Sequence, residues 1–228
     1  MKTATNNHRK PIFIINTKSY LHGQNIIKLA RIADNVAAKK NIDFYFSAPP
    51  IDLSEIQCCT TNLIITAQHV DYHTPGKGMG RVLPEGLKSH NINSVILNHA
   101  EFPLSLSILN ETIKRMKKFD IISIVCADTV EECKKIAKLY PDIMICEPSN
   151  LIGTGKTSAS SYRINTTSVI KSINENIRVI QGAGVKSSND VERIMNEGAD
   201  GTGGTSGIIE SSDWERKIEH MTSSLFKI

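Results

Sequence analysis

The sequence has no excess of charge of one sign, no paired-cysteine motif and no long apolar run. Lys and Arg total 27 against 23 Asp and Glu, a net charge of +4 spread along 228 residues. That balance is too small and too scattered for a nucleic-acid partner. Cysteines number five, an odd count, and Cys58, Cys59, Cys126, Cys133 and Cys146 form no Cys-x-x-Cys or Cys/His ligand spacing. A disulfide framework and a zinc module are both excluded on that pattern, and the expected setting is a reducing cytoplasm. No run reaches the ~20 apolar residues of a membrane span, so no membrane partner is expected. The polar opening MKTATNNHRK lacks a signal-peptide core and reads as a flexible lead-in over residues 1–10.

What is present is a repeat of short apolar runs, most of them followed by an amphipathic stretch. The runs are Pro11–Asn16, Phe44–Ala48, Leu63–Ala67, Ser94–Asn98, Ile121–Cys126, Ile143–Glu147 and Ile177–Gln181, with a weak eighth over Ala199–Gly204. Continuous rather than alternating runs indicate strands buried on both faces, as in parallel sheets. Helical patterns lie between them at Gln24–Lys39, Leu104–Lys118 and Val130–Leu139. Another, Val191–Glu197, follows the capping residues Ser188, Asn189 and Asp190 and precedes the stop residue Gly198. Eight strand–helix units in one domain, residues 11–228, predict an α/β fold: a single closed (β/α)8 barrel. The rival is a doubly wound open sheet, which usually carries a Gly-rich turn after strand one. Here NTKSYLHGQ stands at that place.

Barrel chemistry collects at the C-terminal ends of the strands. Those ends supply Asn16 and Lys18, Gln68 and His69, Asn98, His99 and Glu101, then Cys126 and Glu147. Singly, Lys18 reads as a solvated lysine and His99 as a histidine bonded to backbone. Glu147 is sharper: a carboxylate directly after IMIC is poorly explained by packing, because burying an unpaired charge is costly. Two glycine-rich segments share this rim, LIGTGK at Leu151–Lys156 and GTGGTSG at Gly201–Gly207, the second opening a short helix near Ile208. Backbone N–H groups in such turns bind phosphate. Neither segment has the GxxxxGK[ST] spacing of a nucleotide-binding P-loop. His69, His73, His90 and His99 carry no ligand motif, so no metal is expected.

These motifs resemble the triosephosphate isomerase family, especially its short archaeal-type branch and bacterial relatives. The residues that carry the resemblance are NTK at Asn16–Lys18, AQHVD at Ala67–Asp71, PGKGMGRVLPE at Pro75–Glu85 and NHAE at Asn98–Glu101. EPSNLIGTGKTS at Glu147–Ser158, QGAG at Gln181–Gly184 and the late GADGTGGTSG join them. The resemblance implies a TIM barrel that needs no cofactor and interconverts dihydroxyacetone phosphate and D-glyceraldehyde 3-phosphate. Glu147 would be the base, His99 the electrophile and Lys18 the cation beside the developing oxyanion. Asn16 would orient the substrate and Glu101 would support the lysine. A lid carrying Ile152 and Gly153 would close over the phosphate, with Gly184, Thr205 and Ser206 adding backbone contacts. A homodimer or homotetramer is implied, with 71–81 as an interface loop.

Some residues depart from the family pattern. Ala100 stands where a serine holds the base in its open position, and Phe102 where an arginine makes a salt bridge. Thr17 replaces an aromatic, and the glycines of strand eight are expected to widen the barrel mouth. A wider mouth suits a four-carbon ketose phosphate as alternative substrate. Two further alternatives are a sugar-phosphate-binding barrel without catalysis and a metal-dependent aldolase. A Schiff-base aldolase would need a lysine where strands six and seven end in Glu147 and Gln181.

Overall fold

A computed structural model describes residues 9–226. Eight parallel strands close into a barrel in sequence order: β1 (Ile12–Asn16), β2 (Asp43–Ala48), β3 (Ile64–Ala67), β4 (Ser94–Leu97), β5 (Ile122–Ala127), β6 (Ile143–Cys146), β7 (Arg178–Gln181) and β8 (Gly201–Gly204). Helices α1 (Gln24–Ala37), α2 (Leu53–Cys59), α3 (Pro84–Ser89), α4 (Leu106–Lys117) and α5 (Val130–Ala137) follow the first five strands. The second half adds α6 (Ser160–Ile173), α7 (Ser188–Asn196), α8 (Ser206–Ile209) and α9 (Trp214–Ser223). The open-sheet rival is thereby removed, since β1 pairs with both β2 and β8. Residues 1–8 of the expected lead-in lie outside the described residues, while Arg9 donates to the side chain of Asn176 at 3.1 Å.

Two apolar layers follow from the pleat. Alternate strand residues point opposite ways, so Ile12 and Ile14 join Tyr45, Ile96, Ile124, Ile143 and Ile180 inside the barrel. Phe13 and Ile15 face outward with Phe44, Phe46, Val95 and Val179, against the helices. Phe13 and Phe44 meet edge to face with centroids 5.3 Å apart, a pairing worth about 0.5–1.5 kcal/mol beyond burial.

Strand β8 departs from the expected consequence of its glycines. Gly201 and Gly203 lie opposite Ile12 and Ile14. A Cβ on Gly203 would fall 2.1 Å from the Ile14 carbonyl oxygen, and one on Gly201 would fall 2.3 Å from that of Ile12. The missing side chains are taken up by close approach of β1, so the mouth is not widened there.

Several helix boundaries also differ from expectation. The cap of α7 is Ser187, whose hydroxyl accepts from the Asp190 N–H, while the Asp190 carboxylate accepts from the Ser187 N–H, a reciprocal box. Helix α8 begins at Ser206 rather than at Ile208. Helix α6 has no apolar stripe to betray it, because its buried residues include Thr166, Thr167 and Arg163. Among the described residues no helix is long and apolar enough to cross a membrane.

Candidate active site

Each reactive side chain is presented by a strand that has just ended. After β1, Thr17 turns inward and its hydroxyl donates to the Ser47 carbonyl at 2.9 Å. Lys18 then takes a left-handed conformation, φ 47°, which a non-glycine residue adopts at a cost of order 1 kcal/mol or more. Asn16 holds it there by accepting the Lys18 N–H at 3.0 Å, and Gln68 donates to the Lys18 carbonyl at 2.9 Å. The ammonium reaches Glu101 at 2.5 Å. Since Glu101 is 59% exposed, solvent screens this pair and its net worth is about 0–1 kcal/mol. Its effect is to aim the lysine.

His99 follows a second left-handed residue, Asn98, φ 57°. The Asn98 amide donates to the Cys126 carbonyl at 3.0 Å, and its oxygen accepts the Leu104 N–H at 2.9 Å, which ties β4 to β5 and to the lead of α4. The His99 ring accepts the Glu101 backbone N–H on Nδ1 at 3.2 Å. A neutral imidazole accepting on Nδ1 must carry its proton on Nε2. Burial, then the Lys18 charge, holds the His99 pKa below the usual histidine range, which keeps the ring neutral.

Glu147 follows β6, and its carboxylate Oε2 lies 4.0 Å from the His99 Nε2. Its Oε1 accepts the Ala183 N–H at 2.9 Å. Ala183 is itself left-handed, φ 68°, and its neighbour Gly182 leaves room for the acid. A Cβ at position 182 would sit 3.3 Å from the Glu147 Cβ, Cδ and Oε1. Burial pushes the Glu147 pKa above the ordinary carboxylate range, against the pull of the Ala183 N–H and of Lys18. Ala100 has no hydroxyl to offer the acid, and the Ala183 backbone amide grips it.

The segment after Glu147 opens with a 3-10 turn over Ser149–Leu151 and is pinned at both ends. Ser149 donates its N–H and its hydroxyl to the Asp128 carboxylate at 3.1 and 2.6 Å. At the other end the Ser158 carbonyl accepts from the buried Arg163, whose guanidinium is paired with Glu197. Between these pins lie Gly153 and Gly155, φ 76° and 72°.

One pocket is lined by Asn16, Lys18, His99, Glu147, Ile152, Gly153, Gly184, Thr205 and Ser206 together, with Glu101 behind Lys18. Tyr20, Cys126 and Ala183 share its wall. Of the strand-end residues read from sequence, Gln68, His69 and Asn98 do not line this pocket, and His69 is stacked edge-on to Phe102 at 4.6 Å. Sequence reasoning missed three supporting groups: the Ala183 amide, Asp128 and Arg163. Their partners are 36, 21 and 34 residues away for Glu147, Ser149 and Glu197, so no local pattern announced them. Among the described residues no three His, Cys, Asp or Glu side chains converge to hold a metal ion.

A carboxylate with a raised pKa and a neutral imidazole face each other in a half-buried cleft lined in part by glycines. The triosephosphate isomerase family model matches residues 11–221. The chain belongs to the triosephosphate isomerase family. It is 35% identical over 220 residues to a triosephosphate isomerase of Methanobrevibacter smithii, covering 94% of this chain and 99% of that one. A triosephosphate isomerase of Methanothermus fervidus is 30% identical over 221 residues, 95% of this chain and 99% of its own. One of Methanocaldococcus jannaschii is 29% identical over 215 residues, with 92% and 98% covered. Membership in this triosephosphate isomerase family makes the chain an aldose–ketose isomerase.

Proposed function

We propose that the protein interconverts dihydroxyacetone phosphate and D-glyceraldehyde 3-phosphate, with Glu147 as base, His99 as electrophile and Lys18 as electrostatic stabiliser. The observation that carries this reading is the 4.0 Å approach of a desolvated carboxylate to a neutral imidazole bearing its proton on Nε2. Glu147 takes a proton from the hydroxymethyl carbon beside the carbonyl. The electron pair moves into a carbon–carbon double bond, and the carbonyl oxygen becomes the enediolate oxygen. His99 donates its Nε2 proton to that oxygen and recovers one from the neighbouring hydroxyl. Glu147 then returns its proton to the former carbonyl carbon. Net, one hydrogen shifts between adjacent carbons and no cofactor is consumed.

Magnitudes assign the labour. General base catalysis by a positioned carboxylate supplies roughly 10²–10⁴-fold. Preorganised charge at the developing oxyanion, here Lys18 and the His99 N–H, supplies a further term often as large or larger. Asn16, Ile152, Gly153, Gly184, Thr205 and Ser206 hold the substrate, the last five through backbone around the phosphate. Ile14 lies where a side chain on Gly203 would begin, which supports the three-carbon substrate over a four-carbon ketose phosphate. The protein works in the cytoplasm as a homodimer or homotetramer. Supporting that assembly, Tyr72, Met79 and Phe102 stand exposed around the 71–81 loop and the β4 end.

The deciding experiment is isomerisation of dihydroxyacetone phosphate by the wild type beside Glu147→Gln. An isomerase loses most of its turnover in the variant. Unchanged phosphosugar binding with no wild-type turnover would instead mark a non-catalytic binding barrel.

A further inference from the structure

Lys186, exposed and outside the catalytic pocket, threads between three elements that meet around the phosphate turn. A Cβ built on Gly155 would lie 2.4 Å from the Lys186 Nζ and 2.8 Å from its Cε. The stem of the same side chain runs along α8, where a Cβ on Gly207 would come within 3.2 Å of the Lys186 Cγ. Between them, a Cβ on Gly184 would fall 2.3 Å from the Lys156 carbonyl carbon and oxygen. Three glycines, one in each of the lid, the turn after β7 and α8, therefore give up their side chains to one close stack.

The charge inside that stack is unspent. The neighbouring acid, Asp190, accepts from the Lys186 and Ser187 backbone N–H groups and the Ser187 hydroxyl on Oδ2, and from Arg193 on Oδ1. Among the described residues no carboxylate forms an ion pair with the Lys186 ammonium. An ammonium held beside the lid backbone without a carboxylate partner is attracted to negative charge that arrives nearby. Phosphate held by Gly184 and Ser206 is such a charge.

We infer that Lys186 is a positioning residue that couples lid seating to phosphate occupancy: its stem fixes where Gly155 rests, and its charge favours the seated lid over a bound phosphate. This deepens the proposed function, because it takes the Gly184–Ser206 turn as the phosphate cradle. Lys186 acts through the lid and does not touch the reacting atoms.

The test compares wild type with Lys186→Met, Lys186→Arg and Lys186→Ala, and with the remote charge control Lys138→Met. Inorganic phosphate affinity is measured by calorimetry, and kcat and KM for dihydroxyacetone phosphate are measured across a salt series. Lys186→Met keeps the stem without the charge, so phosphate affinity falls and KM rises about fivefold, with a shallower salt dependence. Lys186→Arg restores both values. Lys186→Ala loses the stem as well, so kcat falls in addition and proteolytic nicking within 153–157 speeds up. Lys186→Met matching Lys138→Met in phosphate affinity and salt slope overturns the inference, even if the wild type is an active isomerase. Lys186-dependent phosphate binding without any triose turnover would uphold the coupling and overturn the proposed reaction. No phosphate binding by the wild type overturns the coupling too.

Discussion

The two rims of the barrel use the same unfavourable backbone conformation for opposite ends. On the bottom rim, Asn91, Asp120, Tyr140 and Gly198 are left-handed, and each lies just beyond the end of a helix, α3, α4, α5 or α7. There the conformation stops the helix and turns the chain into the next strand, which is ordinary helix termination. On the top rim Lys18, Asn98 and Ala183 are left-handed, each at the end of a strand and each beside a reactive group. Lys18 is itself the cation, Asn98 precedes His99, and Ala183 turns its N–H onto Glu147. Strain that merely redirects the chain at one end positions chemistry at the other.

Charge divides the rims in the same way. At the bottom, Arg178 pairs with Asp43 at 2.5 Å and Lys171 with Asp200 at 2.7 Å, while Asp142 accepts from the Ser123 N–H and hydroxyl. Two of these carboxylates pair with a cation and the third accepts two hydrogen bonds. At the top, Glu147 is half-buried with a single backbone donor, and its pKa is raised by desolvation. The bottom rim is built for stability and the top rim spends some of it.

Substitutions can break this contrast in order of effect. Glu147→Gln should lower kcat by roughly 10³-fold or more while raising the melting temperature, because it removes a costly buried charge. The same variant should change the pH dependence of stability. Between the ordinary carboxylate pKa and the raised folded value, the folded state binds more protons than the unfolded chain. Stability therefore declines as pH rises through that window in the wild type, and denaturant titrations of Glu147→Gln should lose that decline. The acid limb of kcat/KM should likewise sit above the usual carboxylate range. A wild-type limb at an ordinary carboxylate value would contradict the desolvation argument.

His99→Gln should cost about 10²-fold in kcat, since a donor remains but the proton shuttle is lost. Arg178→Met acts on the other rim. It strands the half-buried Asp43 and should destabilise the fold by about 2 kcal/mol in urea, with kcat close to that of wild type. A large loss of kcat there would show that the rims are coupled. The smallest effect belongs to Tyr140→Gly, which relieves a left-handed non-glycine and should stabilise by about 0.5 kcal/mol. Ala183→Gly makes the same exchange on the top rim, but frees the turn that holds Glu147, so the stability gain should come with a loss of rate. Equal behaviour of the two glycine variants would erase the distinction.

How much of this was legible in sequence follows from range. β1 to β7 were readable because each is built around a short apolar run buried on both faces, and β8 was faint because GTGG has almost no side chains to read. The candidate site residues could be picked out because a barrel's strands end on one rim, where the structure gathers them around one pocket, and Glu147 follows IMIC directly. Helix α6 was missed because it buries Thr166, Thr167 and Arg163 instead of an apolar stripe. The Gln181 amide binds the hydroxyls of Thr166 and Thr167 there, a polar contact no periodicity encodes. The mouth width was misjudged because a glycine run says that side chains are absent, not which neighbour moves in.

That last point reaches beyond geometry. At Gly201 and Gly203 the first atom of any side chain would collide with the backbone of β1. Every single-nucleotide missense change of a glycine codon introduces such an atom. These two positions have no mild mutational neighbours, so drift at the seam that joins the first strand to the last is arrested unless β1 changes with it. The constraint at the closing joint of the barrel is therefore one-sided: Gly201 and Gly203 can accept a side chain only if the β1 backbone itself moves aside.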